Sequence, residues 1–210
     1  WELKKQPIDW DSKDWELKTG AIDCIWNGFT MNGRENDYTW SEPYVDYLRR
    51  SGVATGSYGK YHPDSNITRQ EFAVMLFRYL GADALAEDGV TGLPFDDADK
   101  VADWAREAVQ VMYLTGVARG TPASGGRLLF NPTAGISRQE AVTMLGRLLE
   151  KGYAAPPLAF ADSASVPDWA EEHVRTLSAL GVLGGYEDNT FRGGAQLTRG
   201  QIAAVLFRMN

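Results

Sequence analysis

Three arginines stand at matched positions in the chain. Each follows a hydroxyl residue and precedes, by two, an acid or its amide: Thr68-Arg69-Gln70-Glu71, Ser137-Arg138-Gln139-Glu140 and Thr198-Arg199-Gly200-Gln201. A Ser or Thr followed three residues later by Glu or Gln is a capping box. The hydroxyl accepts from the third backbone amide of a helix, and the acid or amide reaches back to the cap's own amide. That explains the hydroxyl and the acid, and it predicts a helix beginning at each arginine. It does not explain the arginine, because a cation at the first helical position meets the positive end of the helix dipole. A cation repeated at such a place asks for an anion nearby. One candidate is an acid from a neighbouring repeat, such as Asp97 or Asp162. The other is an anionic ligand held by the guanidinium fork and the free amides of the helix end.

Trp40, Trp104 and Trp169 recur in the same way. An aromatic at a recurring helical position is ordinarily core; at a groove rim it would also offer a face for stacking on a sugar. His173 reads as a partly buried helix residue. Asp188 reads as a turn residue, since its surroundings lack the spacing of a calcium loop. No nucleophile elbow, metal pair or catalytic triad is present. The single Cys24 and the two histidines, His62 and His173, leave little for a metal centre or a histidine enzyme. No cofactor and no enzymatic activity are therefore expected.

The elements that position these residues repeat as well. Eight residues before each arginine is an aromatic (Tyr61, Phe130, Phe191), and six before it Pro63, Pro132 or Gly193. Upstream are Gly52-Val53, Gly116-Val117 and Gly181-Val182, each with a glycine three residues after the valine (Gly56, Gly120, Gly185). Each unit reads as helix, glycine turn, loop, helix. In the first helix of the third unit, Trp169, His173, Val174, Leu177 and Leu180 fall close to helical spacing. The second helices carry Phe72, Met75, Leu76, Tyr79 and Leu80; Val142, Leu145, Leu148 and Leu149; and Ile202, Val205, Leu206 and Met209. A helix pair with one apolar stripe cannot bury it alone, so the three units are expected to pack together. The stretch Pro122–Gly126 reads as an insert, and residues 82–94 and 152–159 as connectors.

Composition narrows the function classes. The 210 residues are 44% hydrophobic and 23% charged, with a net charge of −7. That is ordinary globular composition, and it offers no basic footprint for nucleic acid. No apolar run reaches the length of a membrane span. The chain opens on Trp1 without a signal-peptide pattern, so it is expected to be processed or a fragment.

Taken together, these motifs resemble S-layer homology modules, whose pattern is a Phe-x-Asp opening, a helix with Trp, a glycine turn, an aromatic-x-Pro loop and an Ile-Thr-Arg-x-Glu helix start. The openings here are Phe95-Asp96-Asp97 and Phe160-Ala161-Asp162. The resemblance covers about residues 40–210 and implies a mainly α fold, a pseudo-threefold bundle of three helix-loop-helix modules at 40–81, 95–151 and 160–210. It implies extracytoplasmic, non-covalent anchoring of a surface protein to secondary cell-wall polysaccharide, with a pyruvylated amino sugar in grooves between modules. No membrane insertion is implied, and self-association in a surface lattice stays open. By position, the glycan-binding residues would be Arg69, Arg138 and Arg199, with Asp97, Asp162, Trp40, Trp104 and Trp169. The first module departs from the pattern: Met31 stands where its opening Phe should be. The third carries Gly193 for the loop proline and Gly200-Gln201 for Gln-Glu. Not all three grooves need be competent, and the second module is the most complete.

Residues 1–39 do not fit the repeat. They hold five basic and eight acidic residues and four tryptophans, Trp1, Trp10, Trp15 and Trp26. A short helix is expected over Asp14–Thr19 and a strand over Ala21–Phe29, making a short α/β fragment. The run from Gly20 through Thr30, with Arg34 and Tyr38–Tyr44, resembles part of a periplasmic-type amino-acid-binding protein of transporters. That resemblance would map the ligand's ammonium and carboxylate to Gly28, Thr30 and Arg34. The cleft such binding requires needs lobes that these residues cannot supply, so the segment is expected to have lost that function.

Overall fold

The computed structural model divides the chain into Trp1–Thr39 and Trp40–Asn210. The residues described are 40–54, 56, 61–82, 92–149 and 153–210. The expected helix at Asp14–Thr19, the strand at Ala21–Phe29 and the residues Gly28, Thr30 and Arg34 all lie outside them.

The described residues are mainly α-helical. Six helices run in chain order: α1 (Glu42–Arg50), α2 (Arg69–Tyr79), α3 (Asp103–Leu114), α4 (Arg138–Gly146), α5 (Asp168–Ala179) and α6 (Arg199–Arg208). The second helix of each unit, α2, α4 or α6, begins at the motif arginine. All three capping boxes form: Thr68, Ser137 and Thr198 accept from the amides of Glu71, Glu140 and Gln201, whose side chains accept in return from the cap amide. The first helices stop at Gly52, Gly116 and Gly181, at φ +75°, +75° and +72°, a left-handed conformation that glycine adopts without strain. One feature had no signature in the sequence. The stretch read as an insert is a hairpin, β1 (Thr121–Ala123) antiparallel to β2 (Arg127–Leu129) with Pro122 opposite Leu128.

The units are joined head to tail through the residues just before each second helix. The amide of Ile136 donates to Ile67, that of Leu197 to Ile136, and that of Ile67 to Leu197, at 3.0, 3.1 and 3.0 Å. This ring of three closes on itself, and its side chains are almost wholly buried. The first amide of each helix donates in the opposite sense, to the unit that follows: Arg69 to Ala134, Arg138 to Ala195 and Arg199 to Ser65. The second does likewise, from Gln70 to Pro132, Gln139 to Gly193 and Gly200 to Pro63. Orphan donors that every helix start leaves are thus satisfied by the neighbouring unit.

Helix packing follows the same order. The most extensive helix contacts are α2 with α3, α4 with α5, and α6 with α1, so each second helix packs on the first helix of another unit. The second helices do not carry the single stripe read from their sequences. Residues Phe72–Phe77, Ala141–Gly146 and Ile202–Leu206 are buried without a break. Small residues on the remaining faces, Ala73, Ala141, Ala203 and Ala204, permit that close enclosure. In α5 the stripe keeps Val174 and Leu177, but Trp169 and Leu180 are exposed.

Gly146 shows how tight the α4–α5 contact is. A Cβ there would lie 2.6 Å from His173 Cβ and Nδ1. Gly146→Ala is expected to destabilise the protein, because overpacking costs about 1–3 kcal/mol and exceeds a helix-propensity gain of up to about 1 kcal/mol. Gly194→Ala, where a Cβ meets nothing within 4 Å, is the control. Equal denaturation midpoints for the two variants would contradict this packing.

Candidate functional site

Each motif arginine reaches into the next unit of the ring. Arg69 donates from Nε to the Phe130 carbonyl at 2.7 Å and from Nη1 to Glu140 Oε1 at 2.8 Å. Arg199 repeats this with the Tyr61 carbonyl at 2.9 Å and Glu71 Oε1 at 3.4 Å. Each guanidinium also covers the ring of that loop aromatic, Arg69 over Phe130 at 5.4 Å and Arg199 over Tyr61 at 4.8 Å, a cation–π arrangement. The anion beside these two arginines is therefore the capping-box glutamate of the next unit. Asp97 makes no direct pair, but its charge joins that of Glu140 in opposing the effect of burial on Arg69; Asp162 pairs with neither arginine.

Those aspartates hold the loops instead. Asp97 accepts from the amides of Phe130 and Asn131, at 2.8 Å each. Asp162 accepts from Phe191 and Arg192, at 2.6 and 2.8 Å. The residue after each loop aromatic, His62, Asn131 or Arg192, has φ near +55°, a conformation that costs a side-chain-bearing residue energy. In the second and third units the aspartate ties down the backbone at that strained position. Burial pushes the Asp162 carboxyl up, but the backbone amides of Phe191, Arg192 and Asp162 itself outweigh it and hold it below the usual range. Asp188, as expected, closes a turn, accepting from Thr190 and pairing with Arg192.

Arg138 is different. Its partner position in the next unit is Gln201, which carries no charge. The guanidinium donates from Nη2 to the Gly184 carbonyl at 2.6 Å. Its Nε–H, the group that Arg69 and Arg199 give to a loop carbonyl, has no acceptor among the described residues. The side chain lies 5.3 Å from the Tyr186 and Phe191 rings. Arg138 is only 8% exposed. Burial lowers its pKa, Tyr186 opposes that, and the Arg208 cation lowers it further. Among the described residues no carboxylate compensates.

A groove opens at this point. It has a volume of about 270 Å³ and is lined by Arg138, Arg208, Gln201, Tyr186, Trp40 and the backbone at Gly184–Gly185, among others. All three units contribute to it: Trp40 from the first, Arg138 from the second, the rest from the third. Two cations, two aromatic faces and an amide in one concave place suit a sugar that carries an acid group. The helix-end amides do not contribute, because neighbouring carbonyls occupy the first two and the box hydroxyl the third. The expectation that free amides would help hold an anion is corrected on that point.

The tryptophans are not core residues. Trp40, Trp104 and Trp169 are 55%, 60% and 50% exposed, each in the first turn of its helix or just before it. Their spacing matches a buried stripe, but the stripe begins one residue later, at Ala105 and Ala170, and the indoles lie outside it. Of the three, Trp40 lines the groove at Arg138. Sequence reasoning missed Arg208 and Tyr186; the signal that could have found them is Gln201, which breaks the acid pattern and points to its own surroundings. Among the described residues no three His, Cys, Asp or Glu side chains converge as a metal site. No described helix is long and apolar enough to cross a membrane.

The family model for the S-layer homology domain matches this chain at residues 34–73, 94–142 and 159–203. A cellulosome-anchoring protein of Acetivibrio thermocellus is 30% identical over 81% of the chain and 39% of its own length. An amylopullulanase of Thermoanaerobacterium thermosulfurigenes is 26% identical over 93% of the chain and 11% of its own length; a match of that span reaches into residues 1–39. The surface-layer 125 kDa protein of Lysinibacillus sphaericus is 32% identical over 56% of the chain and 10% of its own length. The chain thus spans well under half of these relatives.

Two outcomes are expected from this geometry. Arg69→Met removes an ion pair and a buried hydrogen bond and should cost about 1–3 kcal/mol. Arg138→Met should change stability by less than about 1 kcal/mol, since a buried cation without a paired acid stabilises little. Equal losses in urea denaturation would contradict the difference between the two sites. Acid should loosen the third unit's loop. The carboxyls of Asp162 and Asp188 are depressed in the fold, that of Asp188 to about 2 through the Thr190 hydroxyl and Arg192. Their contribution is complete above the unfolded carboxyl value of about 4. It is lost as pH falls through the depressed values. In the Asp162→Asn variant the thermal midpoint should fall less steeply between pH 4 and 2 than in the wild type, to an extent of order a few degrees; the same slope in both would contradict it.

Proposed function

The chain belongs to the S-layer homology domain family, and on that premise we propose that it anchors a surface protein to the cell wall from outside the cytoplasm by binding secondary cell-wall polysaccharide. The modules are 40–81, 95–151 and 160–210, related by a pseudo-threefold axis. The closed ring through Ile67, Ile136 and Leu197 supports that arrangement. The names of the relatives, one anchoring a cellulosome and one forming a surface layer, support the anchoring role. Residues 1–39 form a separate lead-in. The chain itself performs no catalysis in this reading. Relatives named as enzymes match it over a small share of their length, so a catalytic partner belongs to the remainder of such proteins.

One observation carries the binding reading: the buried Arg138 guanidinium, with no carboxylate paired to it among the described residues, lines a groove with Trp40. A pyruvylated amino sugar fits it. The pyruvyl carboxylate accepts from the guanidinium in a charge-assisted bond. The sugar ring lies against Trp40 or Tyr186, and Arg208 adds attraction. Trp104 and Trp169, exposed as Trp40 is, offer further faces for uncharged sugars of the polysaccharide. Asp97 and Asp162 act through the loops they hold. The net charge of −7 slows approach to an anionic wall, so capture rests on short-range contacts.

Sedimentation with purified cell-wall sacculi tests this. The wild type should pellet with sacculi that carry the polysaccharide and stay in solution with sacculi stripped of it. Arg138→Ala should weaken binding about 10- to 100-fold, the worth of one hydrogen bond to a charged group, while the fold stays intact. Undiminished binding by a folded Arg138→Ala protein would overturn the reading.

A further inference from the structure

Two of the three motif arginines already hold a carboxylate, and it comes from the chain itself. Glu140 sits on Arg69 at 2.8 Å and Glu71 on Arg199 at 3.4 Å. A ligand's acid group would need the same guanidinium edge that these glutamates occupy. At Arg138 the corresponding side chain is Gln201, which lines the groove and offers no charge. The guanidinium there has turned to the Gly184 carbonyl, leaving Nε–H unpaired.

We propose that the last residue of each capping box is an internal competitor for the acidic sugar: glutamate closes the groove of the preceding module's arginine, glutamine leaves it open, and this chain binds one such sugar, at Arg138. This rests on the glycan-binding reading above and specifies its stoichiometry and control. The box glutamate has two duties. One oxygen, Oε2, accepts from the cap's amide and hydroxyl, as in Glu140 with Ser137 at 2.9 and 2.6 Å. The other, Oε1, faces the arginine of the module before. Glutamine retains the first duty, since Gln201 Oε1 accepts from the Thr198 amide at 3.0 Å, and it gives up the second. A Glu–Gln exchange therefore switches the groove without removing the cap.

Both exchanges occur naturally at equivalent positions of this chain, so the variants are compatible with the fold. The probe is the methyl glycoside of a 4,6-O-pyruvylated N-acetylhexosamine, with the unpyruvylated glycoside as control, titrated calorimetrically into the full chain. The wild type should bind one equivalent. Gln201→Glu should lose affinity at least about 10-fold, the worth of a charge-assisted contact. Glu140→Gln should bind a second equivalent, at Arg69, and Glu71→Gln is the parallel variant at Arg199. Two or three equivalents in the wild type would overturn the inference. So would wild-type affinity in Gln201→Glu, or a single equivalent in both Glu→Gln variants; in each of these the arginine-groove reading survives. No binding by the wild type would overturn that reading, and this inference with it.

Discussion

Ile67, Ile136 and Leu197 each give an amide hydrogen to another unit and receive one in return. Each bond joins two residues far apart in the chain, and all three must come together for the ring to close, because each unit supplies half of two bonds. The closure has a consequence for the helices that follow. Their starts are placed where the three repeats meet, and the carbonyls at Pro63, Ser65, Pro132, Ala134, Gly193 and Ala195 accept from the first amides. Buried backbone groups left unpaired there would cost more than an ordinary hydrogen bond contributes.

The same closure aims the arginines. At the first position of a helix whose start abuts the next unit, a side chain extends across the boundary and over that unit's loop aromatic. A buried guanidinium is costly without an acid. In two boundaries the box glutamate supplies it, so one residue caps its own helix and neutralises its neighbour's arginine. The third boundary keeps the cation and, among the described residues, pairs it with no acid. In the proposed reading, that asymmetry, one charge within an otherwise repeated frame, separates a structural contact from a binding groove.

Much of this frame was legible in the residues, and the limits have physical causes. Caps and glycine stops are local: a hydroxyl and an acid three residues apart, or a glycine at a left-handed position, interact whatever the tertiary structure. The arginine's partner is not local. Asp97 and Asp162 were plausible acids because they recur, yet their oxygens are committed to loop amides, and identifying Glu140 and Glu71 required knowing which unit follows which. The tryptophans misled for a related reason. Helical spacing places Trp104 and Trp169 on an apolar stripe, but spacing cannot tell the middle of a stripe from its margin, and both lie at the margin. The hairpin at Thr121–Leu129 escaped notice because Pro122 and the Gly125-Gly126 pair read as loop, and three-residue strands leave no room for alternation.

If the ring is what makes the modules one structure, its amides should not open separately. Native-state hydrogen exchange at Ile67, Ile136 and Leu197 tests this directly. The three amides should exchange with the same free energy, equal to that of global unfolding measured by denaturant, because opening one bond removes the support of the other two. Exchange of one of them through a local opening well below the global value would show that the units hold together without the closed ring, and would contradict the account.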